Sequence, residues 1–558
     1  MSGDATAPGL TLSYRPAAAR AAVPGQTMFQ LIAGNAARRP DALALVDGAG
    51  GPGTRSWTYR ALEQRGTQVA AALLEELRPG DRVALWAPNS PDWVFFQIGA
   101  GLAGLILVTV NPAYQHAELA HVLRRSEARG IYAAREHRGR DLAGIAREVA
   151  ASVPSVAVAG RLEDLIARAD RLTPAGELPA VDPDDIAQIQ YTSGTTGSPK
   201  GVRLRHGAIS ASYRQTLGRA GFDDDAPPTW INPMPLFHVG SAGGAVLGTM
   251  TLGGTHVVLP GFDPELVFRA VEAERGTITL AVPTMLISML EHPRRRDYDL
   301  SSLRTILTGA APVPAELVRR VQRELEARVV ICFGQTEFSG NLSTTRLDDL
   351  PEDVAETVGV PFDDVEAKIV DPVSGAIVPI GTPGEICARG HQVMAGYHDA
   401  PLDTAAAIDP DGWLRFGDLG TMDDRGYLRV IGRLKDMIIR GGENIYPREI
   451  EDLLIAHPSV GDVAVVGAPD ATWGEEVAAV IRPAEGAARP IDPAELFGFC
   501  REQLASYKCP RLWFVMGELP LTPSGKVRKR RLAAMIADGE LQPAGRFVRE
   551  VGQRPSAR

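Results

Sequence analysis

Between residues 26 and 180 the chain alternates strand-like and helical segments, and this alternation restricts its fold more than any other feature. Arg82–Trp86 reads as a strand, a helix opens at Pro91 behind Ser90, and Leu105–Val110 reads as the next strand. Proline suits the first helical position because its missing N–H is a donor that helices leave unused, and a preceding serine caps another. Strand–helix–strand succession implies mostly parallel strands in a layered α/β architecture. The pattern resumes with His256–Leu259 as strand, Pro264–Arg275 as helix, Ile278–Ala281 as strand and Pro283–Leu290 as helix. From Gly359 to Gly432 short strands and Gly/Pro turns replace it, which predicts a smaller β-rich subdomain.

After Gly432, Pro447 opens an amphipathic helix with Ile450, Leu453 and Leu454 on one face and Glu449, Glu451 and Asp452 on the other. Val463–Val466 and Val477–Ile481 read as strands and Pro493–Ala505 as a helix, the makings of a small α+β domain. A length of 558 residues exceeds what one core organises. The expected division is a loose Ala/Pro-rich arm (1–25), a large α/β domain of several subdomains (26–433), a small α+β domain (434–540) and a tail (541–558).

Bulk properties exclude several classes. With 58 basic against 68 acidic residues the net charge is -10, which argues against a nucleic-acid binder. Cys332, Cys387, Cys500 and Cys509 form no metal-ligand spacing and fit the thiols of a reducing compartment. The first residues carry no apolar signal-peptide core, so a cytoplasmic location is expected. Trp93–Val110 is uncharged and about long enough to span a bilayer. Three glycines interrupt it and it turns β-branched before Asn111-Pro112, so a buried helix followed by a buried strand is predicted, with no transmembrane segment.

The strongest chemical signal follows the alternating strand Ile186–Tyr191. Thr192-Ser193-Gly194-Thr195-Thr196-Gly197-Ser198-Pro199-Lys200-Gly201 packs five hydroxyls, three glycines and one lysine into ten residues. Glycine lets backbone N–H groups turn toward an anion, hydroxyls add donors, and lysine supplies positive charge. A polyphosphate needs all three. The string is not a Walker A loop, since GxxxxGK[ST] is absent.

YTSGTTGSPKGV also resembles the signature of the adenylate-forming superfamily, which comprises acyl-CoA synthetases, luciferases and the adenylation domains of peptide synthetases. The resemblance runs from about residue 26 to about residue 535, with the motifs in family order, and looks closest to bacterial medium- and long-chain fatty acyl-CoA synthetases. It implies a large N-terminal domain and a small mobile C-terminal lid, with ATP, Mg²⁺ and coenzyme A as cosubstrates.

The resemblance also implies roles for single residues. Thr308-Gly309-Ala310-Ala311-Pro312 is similar to the segment whose backbone lies along adenine. Phe333-Gly334-Gln335-Thr336-Glu337 is similar to the segment that stacks a ring on adenine, meets the α-phosphate with threonine and holds Mg²⁺ with glutamate. A carboxylate suits that ion, which takes oxygen ligands and bridges phosphates. Phe333 stands where the family usually has tyrosine, so stacking survives and a ring hydroxyl is lost. Asp418, within Trp413–Leu419, matches the aspartate that accepts both ribose hydroxyls, and Arg433 the arginine that reaches ribose. Lys435 matches the hinge of the lid, and Gly441 and Gly442 the loop that lines the pantetheine tunnel. Lys526, in Pro520–Val527, matches the catalytic lysine, whose charge offsets the repulsion between carboxylate and α-phosphate.

Asn232–Gly240 is similar to the segment that begins the acyl pocket. His238 occupies the position where α-amino-acid-activating domains place an aspartate, so an α-ammonium would be buried unpaired, at a cost of several kcal/mol, roughly. Gly240, Ser241, Ala242, Gly243 and Gly244 are expected to leave room, and the chain after Glu337 (Phe338-Ser339-Gly340-Asn341) departs from the usual Ser-Pro; a fatty acid or a bulky cyclic acid fits. The leading expectation is an acyl-CoA ligase. An acyl-AMP ligase that serves a carrier protein, a luciferase-like oxidase and a non-enzymatic nucleotide binder are the alternatives. The Lys526 loop speaks against the last, because a mere binder needs no lysine that closes for chemistry.

Overall fold

The computed structural model describes residues 10–18, 23–49, 55–174, 176–192, 199–309, 313–441, 443–484, 490–521 and 527–547. The architecture is mixed α/β, as the alternation predicts. The chain divides into a first unit (1–368, 387–416 and 422–429) and a second (369–386, 417–421 and 430–558).

The first unit contains two large sheets. The six-stranded sheet runs Val158–Arg161, Gly130–Ala133, Arg82–Trp86, Ile106–Val110, Ile186–Thr192, Lys200–Arg205. Its first five strands pair in parallel and the last pairs antiparallel. The helix Pro91–Leu102 is capped by Ser90, whose hydroxyl accepts from the Trp93 N–H, and every residue but Asp92 is buried. Burial on every side explains why its apolar run looked long enough for a membrane. Among the described residues no helix is long and apolar enough to cross one.

The nine-stranded sheet runs Val360–Pro361, Gly340–Thr344, Arg328–Gln335, Thr305–Gly309, Ile278–Leu280, Thr229–Asn232, Thr255–Val258, Leu43–Asp47, Ser56–Thr58. Its six central strands are parallel and both ends are closed by antiparallel pairs. Helices Pro264–Glu274, Pro283–Glu291 and Ala315–Glu324 cover one face with Phe268, Leu286 and Val318. Trp230, Leu217 and Leu307 belong to a separate core cluster. Arg275 ends its helix in the left-handed region at φ 50° rather than continuing it. A five-stranded sheet orders Tyr14–Arg15, Glu366–Val370, Gly384–Arg389, Leu414–Met422 and Leu428–Arg433. Within the arm read as loose, Tyr14 and Arg15 pair antiparallel with Lys368 and Ala367, and Arg15 bonds Asp363 at 3.0 Å.

In the second unit, strands Val460–Asp470 and Gly474–Pro483 form a long antiparallel ribbon. One core beside it gathers Ile450, Leu454, Val465 and Trp513, and another gathers Val466, Ala478, Phe514 and Leu532. Alternation along the ribbon sends successive side chains to opposite faces, so one pair of strands serves both.

Candidate active site

Strand Ile186–Thr192 leads into the hydroxyl-rich string and strand Lys200–Arg205 leaves it, with Thr192 and Lys200 directly opposite each other in the antiparallel pair. Ser193, Gly194, Thr195, Thr196 and Gly197 lie outside the described residues, as do Ala310, Ala311, Pro312, Gly442 and Lys526.

Lys200, Thr192 and Glu337 come together around Tyr397. The Lys200 ammonium meets Asp403 at 2.5 Å and lies over the Tyr397 ring, 5.2 Å from its centroid. The Tyr397 hydroxyl donates to Glu337 Oε1 at 3.0 Å, and the Thr192 hydroxyl donates to the same oxygen at 3.4 Å. Burial first, then the Glu337 charge, pushes the Tyr397 phenol above its ordinary range, so it remains a donor at neutral pH. Glu337 sits in the 3₁₀ turn Thr336–Phe338, directly after strand Arg328–Gln335. Ser339 closes that turn at φ 53° and donates its hydroxyl to the Gln392 carbonyl at 2.7 Å. A cavity of about 230 Å³ opens beside Lys200 and is lined also by His121, Arg125, Tyr191, His398 and Asp403.

One carboxylate oxygen of Glu337 thus carries two donors, and Oε2 has no hydrogen-bond partner among the described residues. Among the described residues no three carboxylate, histidine or cysteine side chains cluster as a protein-only metal cage. A single carboxylate beside a polyphosphate loop fits Mg²⁺, which is held by one or two carboxylates plus substrate phosphates.

Phe333 faces Phe416 at 5.7 Å between centroids and 32° between planes, and Phe338 packs on Phe416 at 5.5 Å. Gly309 and Gly334 owe their identity to neighbouring backbone. A Cβ at Gly309 would lie 2.2 Å from the Cys332 carbonyl oxygen, and one at Gly334 would lie 2.0 Å from that of Gly340.

In the second unit Asp418 is nearly buried and pairs with Arg433, whose Nε lies 2.8 Å from Oδ1. Lys435 lies in the 3₁₀ turn Leu434–Asp436, where burial, then the Arg433 charge, lowers its ammonium. Gly441 has φ 60°, and a Cβ there would sit 2.6 Å from the Trp473 ring. Its glycine therefore has a reason independent of any ligand.

His238 packs its ring 4.2 Å from that of Phe237, and its carbonyl accepts from the N–H groups of Ser241 and Ala242 at 3.0 and 2.9 Å. Those bonds open a π-helix over Gly240–Gly248, a wide turn that concentrates at functional sites. The expectation of room is corrected at Gly243 and Gly244. A Cβ at Gly243 would meet the Tyr213 ring at 2.7 Å, and one at Gly244 would meet it at 2.9 Å and Trp230 at 3.2 Å. Tyr213 fills that space, and also approaches Gly340, where a Cβ would be 2.9 Å from its ring and hydroxyl.

Tyr397, Asp403 and Tyr213 escape sequence reasoning, since none belongs to a recognisable string. The one local hint is Gly396, at φ 110°, which sets the sharp entry to Tyr397.

Comparison with known proteins gives the family. The AMP-binding enzyme model matches residues 32–398, and that of the AMP-binding enzyme C-terminal domain matches residues 449–526. A putative acyl-CoA synthetase, YngI, of Bacillus subtilis (strain 168) is 36% identical over 511 residues, covering 85% of this chain and 91% of the relative. A feruloyl-CoA synthase of Amycolatopsis sp is 39% identical over 488 residues, covering 86% and 93%. The crystal structure of ATP-bound MatB from Rhodopseudomonas palustris superposes with a TM-score of 0.82 at 29% identity, covering 92% of this chain and 99% of that one. The chain belongs to the AMP-binding enzyme family, the adenylate-forming superfamily of the sequence reading. It is an enzyme, an AMP-forming acid–thiol ligase.

Proposed function

We propose that the enzyme activates an apolar carboxylic acid with ATP, releasing pyrophosphate, and transfers the acyl group from acyl-AMP to coenzyme A. The observation that carries the reading is the meeting of Thr192, Lys200 and Glu337, drawn from sequence positions far apart, around one tyrosine. Thr192 and Lys200 bracket the string that would cradle the phosphates. Glu337 would hold Mg²⁺, which supplies charge neutralisation on the phosphate oxygens.

The Phe333–Phe416 pair offers an aromatic face for adenine, with stacking worth about 0.5–1.5 kcal/mol beyond area. Asp418 would accept the ribose hydroxyls, with Arg433 beside it. Lys526 would bring its charge to the α-phosphate as the carboxylate attacks, where charge develops. After pyrophosphate leaves, a turn at Lys435 would bring the loop of Gly441 and Gly442 to line the path of the coenzyme A thiol.

His238 in place of an aspartate offers no carboxylate at that position for an α-ammonium, which supports an acid without one. With Gly243, Gly244 and Gly248 packed by Tyr213, the pocket gains no width from them, and a fatty or planar cyclic acid fits better than a globular one. The test is a panel of carboxylic acids, fatty, aromatic and alicyclic, assayed separately for pyrophosphate release and coenzyme A thioester. Acid-dependent release of AMP and pyrophosphate with thioester formation is expected. Release of ADP and phosphate overturns the adenylation reading. Pyrophosphate without thioester points to a carrier protein as acceptor.

A further inference from the structure

Tyr397 is attached to its surroundings at four points. Its main chain forms a bridge with Val202 in strand Lys200–Arg205, and its N–H donates to the Thr404 hydroxyl at 2.9 Å. Its ring lies under the Lys200 ammonium and its hydroxyl ends on Glu337. The neighbouring backbone is fastened on both sides: Met394 N–H donates to the Glu337 carbonyl at 2.9 Å, and His398 N–H donates to the Gly201 carbonyl at 2.7 Å. The segment around Tyr397 thus bonds both to the turn that carries Glu337 and to the strand that carries Lys200.

Such fastening has chemical consequences. A free glutamate rotates about three side-chain bonds, and ordering it costs rotamer entropy whenever a ligand binds. With two hydroxyls donating to Oε1, that ordering is already done, and the other oxygen keeps a fixed direction. A cation over an aromatic face is attracted by the electron-rich ring, and Asp403 holds the same ammonium.

We propose that Tyr397 is a positioning residue of the nucleotide site: its hydroxyl orients Glu337 for the magnesium-bound phosphates, and its ring, with Asp403, orients Lys200. The inference rests on the reading of Glu337 as the carboxylate that holds Mg²⁺, and binding measurements separate the two. Calorimetric titration of the full chain with ATP, acid absent, is run in Mg²⁺ and in EDTA, for the unmutated enzyme, Tyr397→Phe, Glu337→Gln and the double variant. Tyr397→Phe keeps the ring under Lys200, so its affinity for ATP in EDTA stays within about twofold of the unmutated enzyme. The extra affinity conferred by Mg²⁺ falls about 10-fold, the weight of one hydrogen bond to a charged group. In the Glu337→Gln background the same change has no further effect.

If Mg²⁺ strengthens ATP binding to the unmutated enzyme and equally to Tyr397→Phe, the inference is overturned and the reading of Glu337 survives. If Mg²⁺ gives the unmutated enzyme no gain, or Glu337→Gln keeps the gain, the reading of Glu337 fails as well. Should Tyr397→Phe not fold, 3-fluorotyrosine incorporated at residue 397 alone serves instead. Its fluorine resonance is expected to move with ATP plus Mg²⁺ and much less with ATP in EDTA; a resonance indifferent to Mg²⁺ refutes the positioning role.

Discussion

Arg433 grips Asp418 through an ion pair of 2.8 Å, while the carboxylate is 5% exposed and the guanidinium 42%. The exposed partner is the one that can turn toward a ligand; the buried one is already oriented. On the reading of Asp418 as the ribose acceptor, the aspartate would carry the directional recognition and the arginine would supply compensating charge.

Discrimination between ATP and 2′-deoxy-ATP measures this directly. A hydrogen bond to a charged acceptor contributes about 1.5–3 kcal/mol, so the unmutated enzyme should prefer ATP by about 10-fold or more. Asp418→Asn should raise the KM for ATP and shrink the preference to about threefold or less. An unchanged ratio would move ribose recognition to other residues.

Lys526→Ala should slow acyl-AMP formation by about 10²–10³-fold, as for loss of one preorganised charge donor. Thioester formation from synthetic acyl-AMP and coenzyme A should remain close to normal. Equal losses in the two half-reactions would contradict the assignment.

Gly243 should not tolerate even a methyl group. A Cβ placed 2.7 Å from the Tyr213 ring overpacks a buried contact, which costs about 1–3 kcal/mol. Gly243→Ala should lower the melting temperature, and Tyr213→Leu in the same chain should recover the part due to the ring, the 2.8 Å approach to Ile209 remaining. Absence of coupling between the two would show that the ring yields without cost.

Two buried histidines predict how the fold responds to acid. Burial holds His206 down to about 4 and His256 down to about 3, below the ordinary value near 6.5 that the unfolded chain keeps. The unfolded state therefore takes up protons first as pH falls. The contribution is fully present above about pH 6.5 and is lost progressively from there toward pH 3. At pH 5 the loss amounts to about 2 kcal/mol per histidine, at about 1.4 kcal/mol per pH unit. Thermal melts at pH 7 and pH 5 should show a smaller drop for His256→Leu than for the unmutated chain; an equal drop would mean His256 is protonated in the fold.

The alternating layers were legible because they are local. Arg82–Trp86 shows its strand period, Ser90-Pro91 announces its helix, and YTSGTTGSPKGV carries its glycines and hydroxyls together. Tyr397 was not, because its significance lies in a hydroxyl that meets Glu337 across sixty residues and a ring that meets Lys200 across nearly two hundred. Tyr213 was hidden for a related reason. Three glycines in two separate segments are small because one distant ring needs their space, and a string of glycines does not say what fills it. The pairing of Tyr14 and Arg15 with Lys368 and Ala367 is equally invisible in an Ala/Pro-rich arm.

The wide helix at Gly240–Gly248 offers a route of change that side-chain replacement does not. Hydrogen bonds reaching five residues ahead fit one more residue into a given stretch than the ordinary repeat does. Deleting a single residue there would return the segment to the tighter spiral and swing each following side chain around the axis. An insertion–deletion event at that point would re-aim several buried side chains at once, which a series of point mutations would not.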